Sequence, residues 1–448
     1  MYKNVSNQYI IAIILLFSSC LLTVTAKAQA ANENPTKNYV NDDLKSGKKS
    51  DQPSILPPAT VKSPQPDTSW KPVRRIWGYT FGDFYYNAHA DPANRGTETN
   101  YNGVPTYRNA FQFRRIYLGY DYDINKKFSV ELLLASEPNA NTNPSPGTSI
   151  SNGDNLADNK MSFYIKLINL RVKEVWKGTD FIIGNQWTPG WPLLTEKIWA
   201  YRFIEKTVAD IHRNNPWDFG AGLQGVFDPA TKNFGYDALI GNNTSSNLLS
   251  ATNANTGFYK AFYGDVYGKF FERKLIVDLY ADYMKTAPAT AAVGGQARHM
   301  IKGFVAYTTP KFTFGIEAYT QQIVNGVTNT ATKTSENATV KAISVYTHGA
   351  IYKDKVRFFA RYDSYNPNDD FDAATAYTVN TNLPAYSPFT KEQFVTAGLD
   401  FIPAKNIHFA PNVWLVQYND QRAPTTTGYI PADHTLVYRV TFFYIFGK

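Results

Sequence analysis

The sequence predicts an all-β fold, a transmembrane antiparallel β-barrel of about 16 strands, and three observations predict it. Runs of roughly ten residues alternate apolar and polar side chains, the connections between them alternate short and long, and 15% of residues are aromatic, with 31 Tyr and 29 Phe against one Cys. Alternation alone says that one face of a strand is buried and the other wet. Segregation of connections by length separates a membrane barrel from a soluble sandwich. Short turns on one side and long loops on the other accompany strands of about 9–11 tilted residues that cross a bilayer.

Residues 10–26 form the one long apolar run, behind Lys3 and ahead of Ala28-Gln29-Ala30, a small-x-small pattern. Residues 1–30 therefore read as a secretory signal peptide, with an uncleaved anchor as the alternative. Cys20 lies inside the run, but Phe17 suits a lipid-attachment signal poorly and the apolar run continues past the cysteine. Cleavage removes the only cysteine, so the rest of the chain uses no disulfide. Segment 31–72 is rich in Pro, Lys, Asn, Asp and Ser and has no period. It carries too little apolar surface to offset its chain entropy and is expected to be a disordered periplasmic extension.

Residues 73–448 repeat one unit: strand, short polar turn, strand, long loop rich in Asn, Thr, Gly and Ala. The short turns are expected at 123–127, 177–180, 228–233, 272–274, 309–311, 353–355 and 403–406. The long loops are expected at 91–108, 138–160, 188–216, 244–256, 285–296, 325–338, 367–390 and 419–433. Seven turns alternating with eight loops join sixteen strands and put both ends of the sheet on the short-turn side.

The faces have the sense a bilayer requires. Ile116, Leu118, Tyr120 and Tyr122 share one face, as do Phe128, Val130, Leu132 and Leu134, then Leu275, Val277, Leu279 and Tyr283. The opposite faces carry Arg115 and Asp121, Glu131, and Asp278 and Asp282. In lipid every backbone polar group must be paired, and a closed sheet with its apolar face outward achieves that. The chain ends on a strand of the same kind, with Tyr438, Val440, Phe442, Tyr444 and Phe446 on one face and Arg439 and Thr441 on the other. A terminal amphipathic strand of this type resembles the signal read by barrel-assembly machinery, here extended by Gly447 and Lys448.

Four stretches carry a more specific resemblance: FQFRRIYLGYDYDINKKFSVEL (111–132), GYDALIGN (235–242), RFFARYD (357–363) and FVTAGLDFIPAKNIHFAPNVW (394–414). They resemble the porin O and P family of phosphate-selective porins, in its divergent porin-like branch, over roughly residue 75 to the C-terminus. The resemblance implies a sixteen-stranded homotrimeric porin whose third external loop folds into the lumen, with phosphate among its solutes. These motifs are diffuse strand patterns and speak to the fold more than to the solute.

The third long loop holds LLTEKIWAYRFIEKTVADIHR (193–213), whose apolar spacing is helical: Ala200, Ile204, Val208 and Ile211 fall on one side, and Arg202, Lys206 and Arg213 in a stripe on the other. The stripe, with Glu205 beside it, is the expected constriction, bracketed by Trp187, Trp191 and Trp199; a merely solvated charged face is the alternative. On the walls Arg115, Arg171, Lys173, Lys302, Arg357, Arg361 and Arg439 are expected to point inward with Glu131 and other acids. Arg357 and Arg361, spaced roughly 13 Å along one strand, would pass an anion between them.

Formal charge is +8, and +6 once Lys3 and Lys27 of the leader are removed, which suits a weak anion preference. The six histidines are scattered along the chain without metal-ligand spacing or a Ser/Asp setting, so neither a cofactor nor an enzymatic role is expected. Two alternatives stay open, a non-conducting structural or adhesion barrel and an outer-membrane hydrolase using His348 or His408. The expected partners are outer-membrane lipid, small hydrophilic solutes or anions, the assembly machinery and two further copies of the chain; nothing points to nucleic acid.

Overall fold

The structure is a computed structural model that describes residues 70–95, 101, 103–137, 163–212, 214–243, 259–286, 290, 292–380, 387–426 and 428–447. The expected signal peptide, nearly all of the 31–72 extension, Arg213 and all of the second and fourth long loops lie outside the described residues.

The strands are β1 (Arg74–His89), β2 (Asn109–Asp123), β3 (Phe128–Ser136), β4 (Tyr164–Trp176), β5 (Thr179–Trp187), β6 (Trp217–Val226), β7 (Phe234–Gly241), β8 (Ala261–Phe270) and β9 (Leu275–Thr286). They continue with β10 (Gln296–Thr308), β11 (Phe312–Asn329), β12 (Ser335–Tyr352), β13 (Val356–Asn366), β14 (Tyr377–Val379), β15 (Thr390–Ala404), β16 (Ile407–Asp420) and β17 (His434–Phe446). Short β14 adds to the outer end of β11, while β13 pairs directly with β15. The other sixteen strands follow one another antiparallel, and β17 pairs with β1 from Gly78↔Phe446 to His89↔Leu436. That last pairing closes the ring of the sixteen wall strands, so each of them is paired on both sides.

Side chains alternate across the wall as the sequence requires. On β9, Asp278, Tyr280 and Met284 are almost fully buried in the interior, whereas Leu279 is 59% exposed on the outside. Ile301, Val305, Phe314, Ile316, Tyr438, Val440 and Phe446 continue the exposed apolar face around the barrel. A belt of this extent suits lipid, not water. The turns on the short side are stitched locally. Asn125 Oδ1 accepts from the amides of Lys127 (2.8 Å) and Phe128 (3.0 Å), and Phe271, Glu272 and Arg273 turn with φ of 50°, 58° and 67°.

The hairpin expected to open into a loop at 325–338 stays paired. After a bulge at Asn325 (φ 53°) pairing resumes at Val327↔Glu336, and the tip closes when Asn329 Oδ1 accepts from the amides of Ala331 and Thr332. The polar residues that read as loop are the outer end of a long hairpin buttressed by β14.

Two further bulges shape the interior. Between β1 and β2 the register steps from Phe81↔Arg115 to Gly82↔Phe113, leaving Arg114 as the extra residue; between β3 and β4 it steps from Leu133↔Leu167 to Leu134↔Ile165, leaving Lys166. Strict alternation would aim both cations at lipid, at a cost of about 2–4 kcal/mol near the bilayer midplane. The bulges turn them into the lumen, where Arg114 is 2% and Lys166 1% exposed.

Candidate functional site

The third loop, residues 188–216, leaves between β5 and β6, where the amide and hydroxyl of Thr188 donate to the carbonyls of Pro216 (3.1 Å) and Asn215 (2.8 Å). The continuous helix expected over 193–213 is two short pieces, α1 (Thr195–Trp199) and α2 (Val208–Ile211). Ala200 ends α1 in the left-handed region (φ 61°), so Trp199, Tyr201, Phe203 and Ile204 turn onto the wall instead of continuing one helical face. They pack with inward-facing Phe81, Tyr117, Phe304, Tyr346 and Phe359 in one buried apolar cluster.

Polar anchors then carry the loop across the lumen. Arg114 on β2 donates to the carbonyls of Phe203 and Ile204, and Arg361 on β13 to those of Glu205 and Lys206. Trp414 Nε1 on β16 donates to Glu205 Oε2 at 3.0 Å, and Tyr201 reaches Asp400 on β15 at 3.3 Å. His348 Nε2 on β12 donates to the Ile198 carbonyl (3.0 Å), and Gln321 on β11 to Asn214 Oδ1 (2.7 Å). A loop rooted at β5–β6 and held by β13, β15 and β16 spans the barrel, because those strands stand opposite its root. Between α2 and that far wall lies a small cavity, with room for about one water molecule, lined by Glu205, His212, Asp363, Glu392 and Trp414.

The stripe expected to present Arg202, Lys206 and Arg213 is not uniformly positive. Arg202 is held between Glu196 and Asp210, the latter at 2.7 Å, so its charge is matched within the loop. Lys206 makes no side-chain hydrogen bond or ion pair among the described residues; burial lowers its pKa, against the pull of Asp210. Lys197 on α1 likewise makes no side-chain hydrogen bond or ion pair among the described residues, and it feels the charges of Asp237 and Glu131. Glu205 is the loop's structural carboxylate: burial raises its pKa, but Arg114, Arg439 and Lys206 together outweigh that and hold it below its ordinary value.

The wall residues singled out from the sequence all face inward, and most are occupied. Arg115 pairs with Glu137 at 3.3 Å, Glu131 accepts from Asn169, Arg171 binds Asp180 and Gln224, and Lys173 binds Asp123. Lys302 lies 3.0 Å from Asp278 and 3.9 Å from Glu317, and Arg439 binds Asn412 and the Tyr101 hydroxyl. Arg361 pairs with Asp363 as well as the loop, and Arg357 stands across the ladder from Asp400. The charges also segregate. Asp218, Asp237, Asp265, Asp278, Asp282 and Glu317 collect on β6–β11 against Lys302 and Arg298, while the wall of β1–β4 and β13–β17 carries most of the cations, largely matched by acids.

Residues that the sequence pattern did not single out include Arg114, Lys166, Asp83, Glu137 and Trp414. Arg114 forms an ion pair with Asp83 at 2.8 Å, and Lys166 one with Glu137 at 2.5 Å. The signal for the first was present: two consecutive arginines cannot occupy opposite faces of a lipid-facing strand without exposing one of them to hydrocarbon.

No family model matches the sequence, and no curated protein matches it. Among solved structures the fold is similar to an anion-selective porin from Comamonas acidovorans (TM-score 0.53, 11% identity, 84% of this chain and 100% of that one). It is also similar to the outer membrane channel DcaP of Acinetobacter baumannii (0.51, 12%, 84% and 97%) and to outer-membrane expressed OmpT of Vibrio cholerae (0.50, 12%, 84% and 98%). At such identities the likeness is one of fold. The closed barrel with its apolar outer face places the chain in the outer membrane of a Gram-negative bacterium.

Proposed function

We propose that the chain is a porin, a passive channel for small hydrophilic solutes. The observation that carries this reading is a closed barrel whose interior is lined by charged side chains and narrowed by a loop fastened to the far wall. Fixed charges around a narrow aqueous path set which ions enter, without any conformational cycle or energy source. A weak preference for anions, phosphate among them, rests on Lys197 and Lys206, which have no ion-pair partner among the described residues. The acids of β7–β9 oppose them, which keeps the preference weak. A homotrimer and cleavage of residues 1–30 on export complete the proposal, the first from the resemblance of the sequence and the second from its leader pattern. No enzymatic role is part of it.

A second reading, a closed structural or adhesion barrel, is favoured by the dense packing around the loop, where Lys302, Phe359 and Trp199 have almost no exposed surface. One experiment separates the two. The chain reconstituted in planar bilayers should give stepwise, ohmic single-channel currents and a small reversal potential in a salt gradient. A folded, inserted barrel without conductance would overturn the channel reading in favour of the closed one.

A further inference from the structure

At the outer mouth, where the barrel closes between β1 and β17, two distant parts of the chain meet and bring His89 to the adjacent Asp433 and His434. Each offers a ligand atom, and the three atoms lie within 4.8 Å of one another. We infer that they form a binding site for a divalent transition metal of the zinc class.

The chemistry of the donors argues for a metal. His89 Nδ1 lies 2.8 Å from the carbonyl oxygen of His434; a carbonyl only accepts, so Nδ1 carries the hydrogen and Nε2 is the ligand atom the ring can offer. Orientation of a ligand histidine by a backbone carbonyl at its other nitrogen is what metal sites use to fix the tautomer. Nε2 in turn lies 3.3 Å from Asp433 Oδ2. Two ligands each about 2.0–2.1 Å from a tetrahedral zinc are themselves about 3.3–3.4 Å apart.

His434 supplies the third ligand. Its Nδ1 lies 2.7 Å from Asp433 Oδ1, and its ring stacks on His89 at 4.1 Å and 7°. On binding, the metal takes the place of the proton that joins Nδ1 to the carboxylate, His434 takes up a proton at Nε2 instead, and its ring tilts out of the stack. Water completes the coordination, since the side chains of the three residues are 37–45% exposed. Two imidazoles and one carboxylate suit zinc, copper or nickel, whereas calcium and magnesium prefer an all-oxygen shell.

The surroundings hold the site in place. The Asp433 amide donates to Asp91 Oδ1 (3.2 Å), and Arg95 ties Asp91 (2.8 Å) to Asp420 (3.0 Å) in a buried ion-pair chain. Metal bound here would pin the last external loop to the end of the first strand, across the seam that closes the barrel.

The test uses the whole chain, folded in detergent and freed of metal by a chelator, titrated with zinc chloride by calorimetry. One zinc per chain should bind, with affinity at least about tenfold weaker in His89→Ala and Asp433→Asn and unchanged in His299→Ala, whose ring lies on β10 away from the seam. Zinc should also raise the thermal unfolding midpoint of the unmodified chain, and magnesium should not. Should His89→Ala fail to fold, His89→Gln and the zinc-dependent midpoint of the unmodified chain replace it. Equal zinc affinity in the site variants and the unmodified chain, or an equal midpoint shift with magnesium, would overturn the site. Binding is read independently of conductance, so its failure leaves the channel reading standing.

Discussion

Replacing Arg114 with Met tests whether the bulge on β2 exists to carry a cation to the third loop. The substitution keeps most of the volume and deletes the guanidinium, which pairs with Asp83 at 2.8 Å and donates to the carbonyls of Phe203 and Ile204. Removing one member of a buried ion pair costs about 3–5 kcal/mol because the other charge is left uncompensated. Asp83 keeps hydrogen bonds from Thr441 (2.8 Å), Tyr101 (3.0 Å) and Gln112 (3.3 Å), which takes the expected loss to the lower end, about 3 kcal/mol. Asp83→Asn in the same background removes the stranded charge. The double variant should therefore be less destabilised than the sum of the two single variants, by about 2 kcal/mol. Urea unfolding in lipid vesicles, followed by tryptophan fluorescence, measures all four proteins. Additivity within about 0.5 kcal/mol would refute the reasoning and leave Arg114 as a residue buried without energetic consequence.

Further expectations follow from the loop and the topology. Glu205→Gln keeps the acceptor for Trp414 and removes the charge; because the folded pKa of Glu205 is depressed, its stabilisation is present above the ordinary value of 4.5 and is lost as pH falls through the folded value. Conductance of the unmodified channel should thus change on acidification below about pH 4.5, and the change should be reduced in Glu205→Gln. Lys206→Gln should shift the reversal potential toward cations with little loss of stability, whereas Arg202→Gln should loosen the loop and give noisier currents, since Glu196 and Asp210 lose their shared partner. Cysteines placed at Thr332 and Lys405 should be labelled from outside whole cells at the first position alone; labelling of both would invalidate the assignment of the two barrel ends. Replacing Phe442, Tyr444 and Phe446 with Ser should abolish outer-membrane accumulation, while Thr441→Ser should be tolerated; equal yields would contradict a lipid-facing last strand.

What was legible in the sequence, and what was not, divides along a physical line. The apolar side of β9 or β17 can be read from one strand alone, because lipid selects each outward residue independently of its neighbours across the sheet. A bulge is a relation between two strands: Arg114 and Lys166 change face because β1 and β3 are one residue short opposite them. The third loop misled for a related reason. Its apolar residues do recur at helical spacing, but Ala200 breaks the helix, and Trp199, Tyr201 and Phe203 gain more by packing on a wall built from β1, β10, β12 and β13 than by staying in register with one another. The partners of Arg439, Asn412 on β16 and Tyr101 in the first long loop, were equally out of reach, since the sequence of one strand does not reveal what another strand or loop sets beside it. The same limit applied to His89 and His434, which share no motif because 344 residues of barrel intervene before closure makes them neighbours. Where the solvent acts on each residue alone the pattern survives in one dimension; where function depends on pairs brought together by closing the sheet, it has to be sought in the residues that break the pattern. The adjacent arginines of β2 and Lys166 in the apolar first half of β4 are of that kind, and both lead to the charges that line the lumen.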